Sequence, residues 1–202
     1  GAPTLAGLSP AIENWLGVKA SEVLPMYGIN TDADIFGLPG YALGGDIFLV
    51  YSTWKWLDMQ QSTSRQPVYR YMYCHPRPDM KQKDLVAGLA GGVQKKDDSA
   101  PEMPKTPGAV HSADIEYQMG NLPTNDVFAW TADDYAISDV FVRFFTNFIK
   151  TGNPNGLGLP TWDPINGKSV APVMMIDRQS RQEILPDVEA RYRFIDKCLM
   201  KK

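Results

Sequence analysis

Apolar positions recur along this chain with two different periods, and the switches between them mark out its elements. Ile12, Trp15 and Leu16 form an i, i+3, i+4 stripe. With Ser9 as N-cap and Pro10 at the first helical position, this predicts a short helix ending at Gly17. A second short helix fits Ala20 to Met26, and Gly37, Pro39 and Gly40 punctuate a loop. Asp46 is a good N-cap for a helix over 46–63, along which Ile47, Val50, Tyr51, Trp54, Leu57 and Gln61 keep helical spacing. Pro67 then introduces 68–74, whose aromatic and β-branched residues predict a strand. Tyr69, Tyr71 and Tyr73 share one face of it, where core packing is favoured over an aromatic pocket.

Residues 76–107 change character, being rich in Pro, Gly, Lys and Asp, with Ala90-Gly91-Gly92 and the run from Gln94 to Asp98. They read as a flexible insertion loop, with a lid beside a site as the lesser alternative. Ser112 to Met119 fits a short helix stopped by Gly120. Thr131 and Asp134 resemble a capping box with Asp in place of Glu, opening a helix over 131–150 whose wide apolar face carries Ile137, Val140, Phe141, Phe144, Phe145 and Phe148. Asn166-Gly167 signals a turn between extended pieces, Val173 to Ile176 a short buried strand, and Asp187 caps a last helix with Val188, Tyr192, Ile195 and Leu199 inward. This order is that of an α/β protein, yet two strands are too few for a complete open sheet. Residues 1–202 therefore read as one region from the later part of a larger α/β domain.

Composition changes this picture little. Hydrophobic residues make up 44% and charged residues 21%, ordinary for a globular protein, and the net charge of −3 comes with no basic run suited to a phosphate backbone, so no nucleic-acid partner is expected. No apolar stretch reaches the ~18 residues that span a bilayer. Residues 1–20 lack the basic start and apolar run of a signal peptide. Location is left undetermined: a soluble chain is expected, secreted or periplasmic if an upstream signal peptide precedes Gly1. Cys74 and Cys198 read as thiols ahead of a disulfide. The histidines and cysteines stand at non-ligand spacings, so no metal and no cofactor are expected.

The chemistry-bearing segment is Gly108-Ala109-Val110-His111-Ser112-Ala113-Asp114-Ile115-Glu116, a histidine after a small-residue turn and before a short amphipathic stretch. A loop between ordered elements is a common way to present an imidazole base. His75, between a strand and Pro76, reads as a capping or surface residue.

Several segments in one order carry a resemblance: Gly45-Asp46-Ile47-Phe48, Pro67 to Tyr71, Gly108 to Ile115, Asn121-Leu122-Pro123, Phe145 to Asn155 with its Lys-Thr-Gly-Asn-Pro-Asn run, and Leu159 to Pro164. Over about residues 40 to 198 the chain resembles the C-terminal portion of type-B carboxylesterases, the α/β-hydrolases that include cholinesterases and bacterial p-nitrobenzyl esterases. The resemblance implies an incomplete α/β-hydrolase fold of a few strands flanked by helices. It also implies a carboxylic-ester hydrolase with a Ser–Glu–His triad in that chain order. Only His111 carries over, as catalytic histidine; the family has Gly where Ser112 stands and Glu where Asp114 stands. Ser112 and Asp114 are expected to support the histidine, Asp114 as a hydrogen-bonding substitute for Glu.

The serine and acid are expected upstream. No Gly-x-Ser-x-Gly elbow occurs, Gly167 to Ala171 reads as a hairpin, Glu13 is not assigned, and Gly91-Gly92 reads as linker. The implied partners are a small-molecule ester and the upstream half of the same hydrolase domain, and the chain alone is expected to be inactive. The alternative is a cholinesterase-like binding or adhesion module without catalysis; a free-standing scaffold whose long loop binds a partner is a weaker one.

Overall fold

A computed structural model of the chain describes residues 4–88, 92–97, 99, 106 and 108–201. In chain order its elements are α1 (Leu5–Leu16), α2 (Ala20–Val23), α3 (Leu38–Gly45), a π turn (Asp46–Val50), α4 (Tyr51–Thr63), β1 (Tyr71–Tyr73), β2 (Leu85–Ala87), β3 (Val93–Lys95), α5 (Ile115–Gln118), α6 (Ala132–Thr151), β4 (Pro172–Ile176), β5 (Arg181–Ile184) and α7 (Pro186–Leu199). They divide between two units.

The first unit comprises residues 1–68, 165–171 and 184–202. Its core joins Ile12 and Leu16 of α1, Val23, Leu43, Tyr51 and Trp54, and Tyr192 and Ile195 of α7. The start of α1 differs from expectation. Thr4 is the cap, its hydroxyl accepting from the Gly7 N–H at 3.1 Å, and Pro10 lies inside the helix. The apolar stripe extends back to Leu5 and Leu8, which pack on the core. Pro10 donates no N–H to the Ala6 carbonyl, and beside it Ser9 donates its hydroxyl to the Leu5 carbonyl at 2.8 Å.

Asp46 is likewise no cap. α3, the π turn and α4 follow one another without a break, and the backbone at Gly45, Asp46, Val50 and Tyr51 is helical throughout. The Asp46 carboxylate is 3% exposed; Tyr27 donates its hydroxyl to it at 2.8 Å and Arg191 its Nε at 2.9 Å. Burial raises the Asp46 pKa, against the opposing pull of Arg191. The Asn166-Gly167 turn is present, with Gly167 at φ 71° and Asn166 accepting from the Val68 N–H at 2.8 Å. No strand pairing flanks it among the described residues, so 167–171 is not a hairpin.

The second unit comprises residues 69–164 and 172–183. β1 runs parallel to β4, Tyr71 opposite Met174 and Tyr73 opposite Ile176, in a sheet ordered β1-β4-β5. α6 covers it. Its capping box forms, with Thr131 accepting from the Asp134 N–H, and Gly152 closes it at φ 75°. Ile137, Phe141 and Phe144 meet Met174, Ile176, Tyr117 and Trp162 in the core. The tyrosine face is core, as the pattern indicated: Tyr71 stands edge-on to Phe141, Phe145 and Trp162. The Lys-Thr-Gly-Asn-Pro-Asn run is a knot of side chains standing in for backbone. Asn155 accepts from the Trp162 N–H at 2.7 Å and donates to its carbonyl at 2.8 Å, while Asn147 donates to the Pro154 carbonyl at 3.2 Å.

Within 76–107, β2 and β3 pair antiparallel, and Met80 bridges to Phe128. Ala90, Gly91 and Asp98, singled out in the sequence, lie outside the described residues.

Candidate functional site

His111 sits on a turn closed by the Ala113 N–H, which donates to the Val110 carbonyl at 3.2 Å. The third residue of such a turn often needs positive φ, the reason glycine is favoured there. Ser112 occupies it with φ 61°, the only non-glycine residue in that region among the described residues. The glycine that the family resemblance calls for at this position is thereby explained: the turn needs left-handed backbone, and serine adopts it at a cost of about 1–2 kcal/mol. Ser112→Gly is expected to raise stability by about 0.5–1 kcal/mol, and Ser112→Val to lower it by about 1–2 kcal/mol. Urea midpoints of the three proteins measure this.

On the inner side of the turn everything is tied down. Ala113 is fully buried and α5 starts at Ile115, with Tyr117 also fully buried. Asp114 accepts the Tyr71 hydroxyl at 3.0 Å. Burial, together with the Asp114 carboxylate, pushes the Tyr71 phenol above its ordinary range, so it acts as a donor. Arg77 donates to the Ser112 carbonyl at 3.0 Å and to Glu116 at 2.8 Å. His111 itself is exposed. The geometry is that of an imidazole carried outward on a fixed turn, where it can take and return a proton from a group brought to its open side.

His75 is neither a cap nor a surface residue. Its side chain is 14% exposed, with Nδ1 at 3.2 Å from Asp177 and Nε2 at 3.1 Å from Asp134. Asp134 is 1% exposed and also accepts the Tyr117 hydroxyl at 2.6 Å and the Thr131 hydroxyl at 2.6 Å. Burial opposes ionisation of Asp134, but the Thr131 and Tyr117 hydroxyls, the Thr131 N–H and the His75 charge outweigh it and hold the carboxyl below its ordinary pKa. Nothing local to His75 signals this network, since its partners lie 59 and 102 residues away.

No group of three or more His, Cys, Asp or Glu among the described residues is arranged to hold a metal ion. Both cysteines are free thiols, and burial pushes Cys74 up to about 11. No helix among the described residues is long and apolar enough to cross a membrane.

Comparison with known proteins gives one consistent answer. Residues 41–194 match the model of the Carboxylesterase family. Over 158 residues the chain is 23% identical to Pyrethroid hydrolase Ces2e of Rattus norvegicus, covering 77% of this chain and 24% of that protein. A shorter stretch of 67 residues is 37% identical to Bile salt-activated lipase of Homo sapiens, covering 32% of this chain and 9% of that one. Among solved structures, a thermophilic PNB esterase superposes on 96% of this chain with TM-score 0.61 at 18% identity, and an esterase of Clostridium hathewayi on 96% with TM-score 0.55 at 16%. The fold is thus part of an α/β-hydrolase. The chain spans 34% and 32% of those two structures and 24% or less of the two curated relatives.

Proposed function

This chain belongs to the carboxylesterase family, and we infer that it supplies the histidine of a carboxylic-ester hydrolase, with His111 as the general base. The observation that carries the reading is the His111 turn: a Gly-Ala-x-His segment inside the matched region, with left-handed backbone at the next residue and a fixed inner side. In this reading a serine supplied by the upstream half of the domain attacks the ester carbonyl. His111 takes the serine proton and then gives it to the leaving alcohol, while backbone N–H groups and an acid, also upstream, stabilise the oxyanion and orient the ring. Asp114 supports the turn through Tyr71 rather than reacting. Large apolar side chains left exposed in the first unit, Phe48 at 57% and Trp56 at 74%, suit a chain that more of the domain would cover.

The substrate is a small ester, and the chain without the upstream half is inactive. A fluorophosphonate serine-hydrolase probe tests this by intact mass, applied to the chain alone and to a longer polypeptide carrying the upstream region. Labelling of the longer polypeptide alone is the expected result. Labelling of the short chain overturns the inactive-alone reading, and labelling of neither favours a non-catalytic binding or adhesion module.

A further inference from the structure

We propose that Arg77 is the positioning residue of the histidine turn, holding His111 where a base must stand. The inference rests on the reading of His111 as the base, but the clamp itself is read from geometry.

Arg77 is anchored on three sides. Its side chain is 11% exposed. One terminal nitrogen donates to the Ser112 carbonyl at 3.0 Å and to the Glu116 carboxylate at 2.8 Å, and the guanidinium lies over the Phe128 ring at 4.7 Å from its centroid. Glu116 is itself held, accepting from Asn125 at 3.4 Å. Backbone bonds fasten the frame around it: Lys81 N–H to the Val127 carbonyl and Ala129 N–H to the Asp79 carbonyl, both at 2.9 Å. Two residues before Arg77, His75 is tied to Asp134 and Asp177, so the segment leaves β1 from a fixed point.

The acceptor is the informative part. Ser112 is the residue held at φ 61°, next to His111. A serine left to itself relaxes out of the left-handed region, and the turn then carries the imidazole elsewhere. A bond to the Ser112 carbonyl fixes the orientation of the following peptide and closes that escape. Glycine would need less holding, so the clamp matters more in this chain than in one with glycine at 112. A buried ion pair is by itself a poor stabiliser, and the Arg77 Nε is buried with no acceptor among the described residues. The value of Arg77 therefore lies in where its Nη2 reaches. Lysine keeps the charge but lacks the planar face that lies over Phe128 and the rigid guanidinium that sets its Nη2 between the Ser112 carbonyl and Glu116.

In the ester hydrolase carrying the upstream region, Arg77→Lys is expected to lower kcat about 10- to 100-fold with KM changed less than about twofold, the mark of a base displaced by about an ångström. Glu116→Gln, which keeps the carbonyl bond and loses the charged partner, is expected to lower kcat about threefold, with Ser112→Gly restoring part of the Arg77→Lys loss. In this chain alone, Arg77→Lys is expected to shift and broaden the backbone amide signals of His111, Ser112 and Ala113 while those of α6 stay in place. Retention of kcat by Arg77→Lys, where His111→Ala loses it, overturns the proposal and leaves the base reading intact. Full activity of His111→Ala overturns the base reading and the catalytic consequence of the clamp together. Unchanged amide signals at 111–113 overturn the clamp itself.

Discussion

Asp134→Ala is expected to cost about 4 kcal/mol of unfolding free energy at neutral pH, the largest single-site loss in the second unit. The residue serves two systems. One oxygen closes the capping box with Thr131, and the other accepts from Tyr117 and faces His75, all at 1% exposure. Alanine keeps the Thr131 cap but loses the side-chain half of the box, leaving the Thr131 N–H and the Tyr117 hydroxyl without their acceptor, and removes one of the two carboxylates beside His75. Asp134→Asn keeps the shape and part of the bonding, and loses about half as much.

The two variants also differ from the native chain in their response to acid. The folded-state pKa of Asp134 lies below its ordinary value. Its contribution is therefore complete above the ordinary carboxylate range, near pH ~4, and is lost as pH falls through the depressed folded value. Urea unfolding at pH 7 and in steps below pH 4 should show the native chain converging on the variants. A gap that stays constant into strong acid would mean the carboxylate charge contributes nothing.

The second large effect falls on turnover. With His111 as the proposed base, His111→Ala in a polypeptide carrying the upstream region is expected to lower esterase kcat by about four orders of magnitude or more with KM little changed. Without a base the serine hydroxyl is a weak nucleophile, and what remains is the residual acceleration from binding and the oxyanion donors. The fluorophosphonate labelling rate should fall in parallel, because labelling needs the same activated serine. Stability should move by less than about 0.5 kcal/mol, since His111 is exposed. A variant that still labels at the native rate would remove His111 from the chemistry.

How much of this was legible depends on how far apart the partners are. α6 could be read in full, because its signals are local: the Thr131–Asp134 box, the apolar face, and Gly152 at the end. The same locality hid the rest of Asp134, since nothing near 134 announces His75 or Tyr117. Asp46 looked like a cap because aspartate is a favoured N-cap ahead of a helical stripe, and Gly37, Pro39 and Gly40 read as a loop before it. Burial of Leu43 and the pairing of Asp46 with Arg191, 145 residues away, carry the helix through Gly44 and Gly45. β5, Arg-Gln-Glu-Ile, has no strand signature and exists because β4 offers it an edge. The His111 turn was visible as a motif. Its backbone conformation showed only as the place where a glycine was expected, and Arg77 left no trace because its acceptor is a main-chain oxygen, which any residue type supplies.

The two free thiols fall one in each unit, Cys74 in the second and Cys198 in the first, where it is 8% exposed. The chain thus carries two clocks, one in each unit. Cys198 is buried and Cys74 half-buried, so the two modification rates, read by mass in the native protein and divided by those of the unfolded chain, give two separate protection values. Equal values would mean that the units breathe together as one cooperative body. Unequal values would mean that one loosens while the other, with its core intact, holds its shape.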